Sequence, residues 1–296
     1  VKQRLSAFFG AMLCMVPLSS VHAQQSGTEA QLLSQFAWSE PVEGWGGFSA
    51  IAIGEDGQQI TLISDRGTYV QGTVQRDAQG EIFDVELTTQ GALRASTGDV
   101  PTNLRFIDAE GIAVRPDGRI AVSFERTHRV MLFDRLDGVP NHLNRDPFRA
   151  LQNNSGLEAL AVDLEGRLLA IPERSGTLER PFPVWRLEGT EWVHRFDVPR
   201  LPPYLVSGAE VGPDGRLYIL ERHFTGFSFG TRVRSFAMGN GLSDERLVIP
   251  AQFGLADNAE GIDLWRDGDG RLRLILIADD NFNFFQRSLI SEFVLD

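Results

Sequence analysis

The feature that most constrains this chain is an internal repeat of roughly 50 residues, a period expected of stacked or radially arranged units. Its clearest copy runs from Glu110-Gly-Ile-Ala-Val through Asp117-Gly118-Arg119 to Glu125-Arg126. The same order returns from Glu158-Ala-Leu-Ala-Val to Glu173-Arg174, around Glu165-Gly166-Arg167. It returns again from Ser207-Gly-Ala-Glu-Val to Glu221-Arg222, around Asp214-Gly215-Arg216. The last copy runs from Glu260-Gly-Ile-Asp-Leu to Asp279-Asp280-Asn281, and the first leads from Ser49-Ala-Ile-Ala-Ile through Asp56-Gly57 to Asp65-Arg66. Starts at 49, 110, 158, 207 and 260 give spacings of 61, 48, 49 and 53.

Each copy has the same physical content. Four or five apolar β-formers reach a two-residue Asp-Gly type turn, the strongest short-range hairpin signal. A second β run follows, such as 119–124 or 271–277, and then more polar strands. No stretch of about a dozen residues carries a helical period. Four strands per unit, apolar inside and amphipathic outside, predict an all-β fold, a β-propeller with four-stranded blades. Five units are counted, and only the 61-residue first spacing leaves room for a sixth. The run 31–38 is expected to pair with the last unit, 288–295, closing the ring so that no sheet edge stays bare.

Lys2 and Arg4, the short apolar run 5–18 and Val21-His22-Ala23 together predict a targeting segment cleaved after Ala23. The expected product is a single domain over 24–296, periplasmic or secreted. Such a cut removes Lys2 and Cys14, the chain's lone lysine and cysteine, so disulfide, thiol and Schiff-base chemistry are excluded. It also takes the net charge from −12 to −14, because two basic residues and no acidic ones are lost. That balance argues against nucleic acid or an anionic membrane as partner. No second apolar run is long enough to span a bilayer.

An antiparallel hairpin returns its second strand to the rim where the first began. The strand starts Ser49, Glu110, Glu158, Ser207 and Glu260 should therefore share one channel mouth with the strand ends Asp65, Glu125, Glu173, Glu221 and Asp279 or Asp280. Carboxylates at that density need protons or cations between them. An all-oxygen ring, supplemented by Asn154, Asn258 and Asn281, suits Ca²⁺ first and Mg²⁺ second. On this reading Asp65, Glu110, Glu158, Glu260 and Asp280 hold metal. Glu125, Glu173 and Glu221 are further ligands or the base that activates water. Arg66, Arg126 and Arg222 follow rim acids and are candidate phosphate grips, although equivalent Glu-Arg pairs also serve to tie blade to blade. Ser49 and Ser207 lack a nucleophile elbow, and His223 is the best placed of the histidines as an acid or base. Phe224, Phe227 and Phe229, with Phe282, Phe284 and Phe285, form a lid or a contact surface.

Several of these landmarks resemble the family described as "esterase-like activity of phytase". They are Ser64-Asp65-Arg66-Gly67, Asp108-Ala-Glu110-Gly-Ile-Ala, Asn154-Ser-Gly-Leu-Glu158-Ala-Leu-Ala, Leu220-Glu221-Arg222, and Ala259-Glu260-Gly-Ile closed by Asp279-Asp280-Asn281-Phe282. They follow one another over about residues 40–295. The resemblance implies an exported propeller-like domain whose recurrent acids carry phosphoesterase activity on a small-molecule ester or phosphoester. Phytate itself, a dense polyanion, fits poorly with a lysine-free mature chain. Three readings follow. The first is a metal-dependent phosphoric ester hydrolase. The second is a calcium-dependent lactonase or esterase propeller. The third is a binding propeller with structural calcium.

Overall fold

The computed structural model describes residues 30–151, 156–226, 228–253, 258–278 and 288–295. The expected leader, 1–23, lies outside the described residues. β1 (Gln31–Ala37) precedes five antiparallel units of alternating strands and turns. Blade one is β2 (Phe48–Ile53), β3 (Gln59–Ser64), β4 (Thr68–Arg76) and β5 (Ile82–Ala92). Blade two is β6 (Ala109–Val114), β7 (Ile120–Phe124), β8 (Arg129–Phe133) and the short β9 (Asn141–His142). Blade three is β10 (Leu157–Val162), β11 (Leu168–Pro172), β12 (Phe182–Glu188) and β13 (Glu191–Val198). Blade four is β14 (Leu205–Val211), β15 (Arg216–Phe224), β16 (Phe229–Met238) and β17 (Leu242–Phe253). Blade five is β18 (Ala259–Arg266), β19 (Leu272–Ala278) and β20 (Leu289–Leu295), completed by β1.

The protein is thus a five-bladed β-propeller. The extra length of the first spacing goes into the long outer strands β4 and β5 and the connection after them, and no sixth blade occurs among the described residues. β1 pairs antiparallel with β20, from Gln31↔Val294 to Ala37↔Leu289, so the ring closes with strands from both ends of the chain. The innermost strands β2, β6, β10, β14 and β18 face the axis, and their apolar runs are buried on both faces. Each apolar core lies between two blades. The cluster of Leu169, Ile171, Phe182, Val206 and Phe236, for example, joins blades three and four.

The hairpin turns differ slightly from the two-residue form. Gly57, Gly118, Gly166, Gly215 and Gly270 all have positive φ, between 70° and 82°. Each donates its N–H to the carbonyl three residues earlier, closing a four-residue turn inside a longer loop. Asp267 confirms a plain turn for Asp267-Gly268-Asp269-Gly270: its carboxylate accepts the amides of Asp269 and Arg271 and the guanidinium groups of Arg271 and Arg273.

Candidate metal centre at the channel mouth

Strand pairing skips one residue at the same place in every inner strand. The skips fall between Phe48 and Ala50, Ala109 and Gly111, Leu157 and Ala159, Val206 and Gly208, and Ala259 and Gly261. The bulged residues are Ser49, Glu110, Glu158, Ser207 and Glu260, the column expected at the strand starts. A β-bulge bends its strand and re-aims the extra side chain. Small residues follow each bulge because the inner strands then converge. A Cβ on Gly261 would lie 2.9 Å from Ala50 Cα, and one on Gly111 3.1 Å from the Glu158 carbonyl oxygen. The axial cavity they enclose measures only ≈ 10 Å³, at the lower limit for a single water. The channel therefore has no room for a ligand larger than a water.

The bulged residues divide by type. Ser49 Oγ donates to the Ala109 carbonyl at 2.6 Å and Ser207 Oγ to the Ala259 carbonyl at 3.1 Å, which ties blade one to two and blade four to five. Glu110, Glu158 and Glu260 supply the charge. Two residues before the bulge, the pairing resumes with the residue that follows the second strand. The amides of Asp65, Glu125 and Glu173 donate to the carbonyls of Gly47, Asp108 and Gly156 at 2.9, 2.9 and 3.0 Å.

Blade four breaks this pattern and corrects one expectation. Val206 pairs with Glu221 and Leu205 with Arg222, so Arg222 occupies the place of Asp65, Glu125 and Glu173. Glu221 is one residue short of the rim, and in a strand a one-residue offset turns the side chain to the opposite face. Its carboxylate is fully buried and accepts Arg234 Nε and Nη2, both at 2.7 Å, and Arg232 Nε at 2.8 Å. Glu221 is a blade-internal ion-pair residue and not part of the mouth.

The structure does gather other acids. Carboxylate oxygens of Asp108, Glu110 and Glu125 lie within 4.8 Å of one another, all three residues half-buried. Glu158 and Glu173 adjoin them and are buried. Burial first, then the charges of Glu158, Asp108 and Glu125, holds the Glu110 carboxyl well above the usual carboxylate range, against the opposing pull of Arg222. Burial and then Glu173 act on Glu158 in the same direction, again opposed by Arg222. Glu125 is pushed up to about 7 by burial, then by Asp108 and Glu173.

The expected arginine grips are engaged. Arg222 Nη1 pairs with Glu260 and reaches Asn258 Oδ1 at 3.2 Å, and its Nη2 lies 3.8 Å from Glu173. Asn258 Nδ2 also donates to Glu260 at 2.7 Å. Arg126 is half exposed and bonds through Nε to Asp108 at 2.6 Å. Arg174 pairs with Glu173 at 3.0 Å. Asp65 occupies the equivalent rim place in blade one, where its carboxylate accepts the Ser64 hydroxyl at 3.3 Å, but it is not one of the three that converge. Arg66 is exposed beside it. Asp280, Asp279, Asn154 and Asn281 lie outside the described residues, as do Phe227, Phe282, Phe284 and Phe285. His223 packs on Tyr204, ring centroids 5.8 Å apart, and Phe224 on Phe229 at 4.8 Å.

The acid that sequence reasoning missed as a ligand is Asp108. Its signal was the Asp108-x-Glu110 spacing, repeated as Asn258-x-Glu260, in which the second residue of each pair is the bulge residue itself.

Fold and site define a five-bladed propeller with a carboxylate-lined mouth over a closed channel. A profile of the phytase-like family, described as "esterase-like activity of phytase", matches residues 43–282. The chain belongs to that family. No curated protein matches it in sequence. Among solved structures it resembles an endo-arabinase from Bacteroides thetaiotaomicron, with 13% identity and a TM-score of 0.50 over 86% of this chain and 96% of the other. It also resembles a virginiamycin B lyase from Staphylococcus aureus, with 12% identity and a TM-score of 0.45 over 90% and 100%. A gluconolactonase from Xanthomonas campestris aligns with 14% identity and a TM-score of 0.44 over 83% and 71%. At these identities the likeness extends to the fold alone.

Proposed function

We propose that this protein is an exported, metal-dependent phosphoric ester hydrolase whose site is the carboxylate cluster at the mouth. The observation that carries the reading is the convergence of Asp108, Glu110 and Glu125 beside Glu158 and Glu173. The donor set fits calcium: two oxygens bound to one Ca²⁺ at 2.3–2.6 Å lie at most about 5 Å apart, and the three carboxylates meet that spread. A bound Ca²⁺ would polarise the ester and lower the pKa of a water.

The chain's own groups supply the rest. Glu158 stands next to the converging three, and burial and Glu173 hold its carboxyl well above the usual carboxylate range, which suits a group that takes and returns a proton. Arg222, fixed by Glu260 and Asn258, limits the negative charge of the cluster. Arg126 is the arginine placed to meet a phosphate, because it is half exposed where Arg222 is enclosed. The family description favours ester cleavage. A second reading, a neutral ester or lactone as substrate, draws on the acidity of the mouth, which repels an anion until a cation is bound.

The test is hydrolysis of an aryl phosphate monoester, a diester and a neutral aryl ester by chelator-treated protein, with and without Ca²⁺ or Mg²⁺, beside Glu158→Gln. Metal-dependent phosphoester turnover that disappears in the variant is the expected result. Turnover of the neutral ester alone moves the function to the second reading, and no turnover of any substrate ends the hydrolase reading. Export is checked by the mass of the protein recovered outside the cytoplasm, which should begin at Gln24.

A further inference from the structure

A second cavity, of ≈ 720 Å³, opens on the outer flank of blade two, away from the channel axis. Its floor is Arg129, at the start of β8 and only 7% exposed. Every hydrogen-bonding partner of this guanidinium is neutral. Nη2 donates to the Phe106 carbonyl at 2.6 Å, Nη1 to the Thr127 hydroxyl, and Nε approaches Met131 Sδ at 3.3 Å. Its carbon sits 4.2 Å from the centroid of the Phe124 ring.

A buried charge is normally paired, since an unpaired one carries its full desolvation cost. Of the three other buried arginines, Arg200 donates to the Thr177 carbonyl but stands in the field of Glu179 and Glu173, and the remaining two obey that rule outright. Arg234 has Glu221 and Glu245, and Arg273 has Asp267. Arg129 makes no ion pair among the described residues, and the neighbouring charge that acts on it is another cation, Arg145, whose Nη1 donates to the Thr127 carbonyl at 3.3 Å. Both the burial of Arg129 and the nearness of Arg145 push its guanidinium down to about 10. His142 stands in the same positive field and shares a hydrogen bond with Ser96 Oγ at 2.9 Å. The two acids on the wall are already engaged, Asp146 by Arg149 at 2.8 Å and Asp99 by the Thr97 hydroxyl. Apart from Asn144, the remaining wall is apolar, with the half-exposed Phe106 ring and Met131.

We infer that this cavity is a binding site for a small organic anion, its phosphate or carboxylate head on Arg129 and Arg145 and its apolar body against Phe106 and Met131. The volume suits a ligand of that size, and a buried arginine facing a like charge gains most from an anion. The site stands independently of the mouth, although the turn 125–128 joins the two: Glu125 belongs to the cluster and Thr127 to the cavity wall.

The experiment is calorimetric titration at low ionic strength with phenylphosphonate, benzoate and inorganic phosphate in separate arms, none of which is hydrolysed. The proteins are wild type, Arg129→Met, the exposed-site variant Arg145→Gln, and Glu158→Gln at the mouth. One saturable site for phenylphosphonate or benzoate is expected, and whichever binds more tightly names the head group. Loss of a charge-assisted contact should weaken it about tenfold or more in Arg129→Met and about threefold or more in Arg145→Gln. Glu158→Gln and chelator treatment should leave it unchanged. If Arg129→Met does not fold, Arg145→Gln alone decides. The inference is overturned by absence of saturable binding up to about 10 mM, or by binding that survives Arg145→Gln but is lost in Glu158→Gln. Inorganic phosphate binding as tightly as phenylphosphonate would overturn the organic body.

Discussion

Chelator-treated protein should lose stability as pH rises from about 4.5 towards 7, opposite to the usual behaviour of a protein whose carboxylates are salt-bridged. The cause is the mouth. Glu125 moves from an ordinary value of 4.5 to about 7 in the folded chain. A raised folded pKa means that the native state binds the proton more tightly. The stabilisation is complete below 4.5 and is lost as pH passes through about 7. Full burial would make that shift worth about 3 kcal/mol, and partial exposure with solvent screening brings it to about 1–2 kcal/mol. Glu110 and Glu158 act in the same direction. Urea unfolding at half-unit pH steps measures the slope, and the difference between wild type and Glu125→Gln isolates the residue from other titrating groups such as Asp263 and His142. Saturating Ca²⁺ should flatten the difference, because the cation replaces the proton as the neutralising charge. A difference that is flat without metal, or that grows more favourable to wild type as pH rises, refutes the account of the cluster.

Three further outcomes follow from particular contacts. Glu221→Leu should cost about 3–5 kcal/mol by leaving Arg234 and Arg232 without their shared carboxylate, while Ca²⁺ affinity, measured on the folded variant, stays at the wild-type value; weakened calcium binding would return Glu221 to the mouth. Gly261→Ala places a Cβ 2.8 Å from the Ile51 amide nitrogen and should lower stability by about 1–3 kcal/mol, read from the denaturation midpoint. Arg222→Gln removes the cation that lowers the pKa of both Glu110 and Glu158. The pH at which calcium binding reaches half its alkaline strength should therefore move upward, and a downward move would contradict the role given to Arg222.

The sequence by itself determined the architecture. Apolar runs ending in Asp-Gly or Glu-Gly, five times over, carry their own hairpin instructions, because a left-handed glycine and a β-forming run act over a few residues. Blade number, closure by 31–38 and the column of Ser49, Glu110, Glu158, Ser207 and Glu260 were all legible for that reason. Phases between strands were less secure. Glu221 looked equivalent to Glu125 and Glu173 by its Glu-Arg neighbourhood, yet it lies 14 residues after its bulge residue where they lie 15 after theirs. The strand period of two makes that single residue decisive, sending Glu221 to Arg234 and Arg222 to the rim.

Only the tertiary structure decided which acids meet. Asp108, Glu110 and Glu125 converge because a bulge at Glu110 turns one strand while the next delivers Glu125. Arg222 of blade four neutralises Glu260 of blade five, a contact between units that no pattern within one unit contains. The uncompensated charge of Arg129 is likewise a statement about neighbours from 95–101, 106 and 142–149, brought together by packing. Local chemistry is written along the chain at short range, whereas pairing of charges is settled by side chains distant in sequence, whose approach depends on register to within one residue.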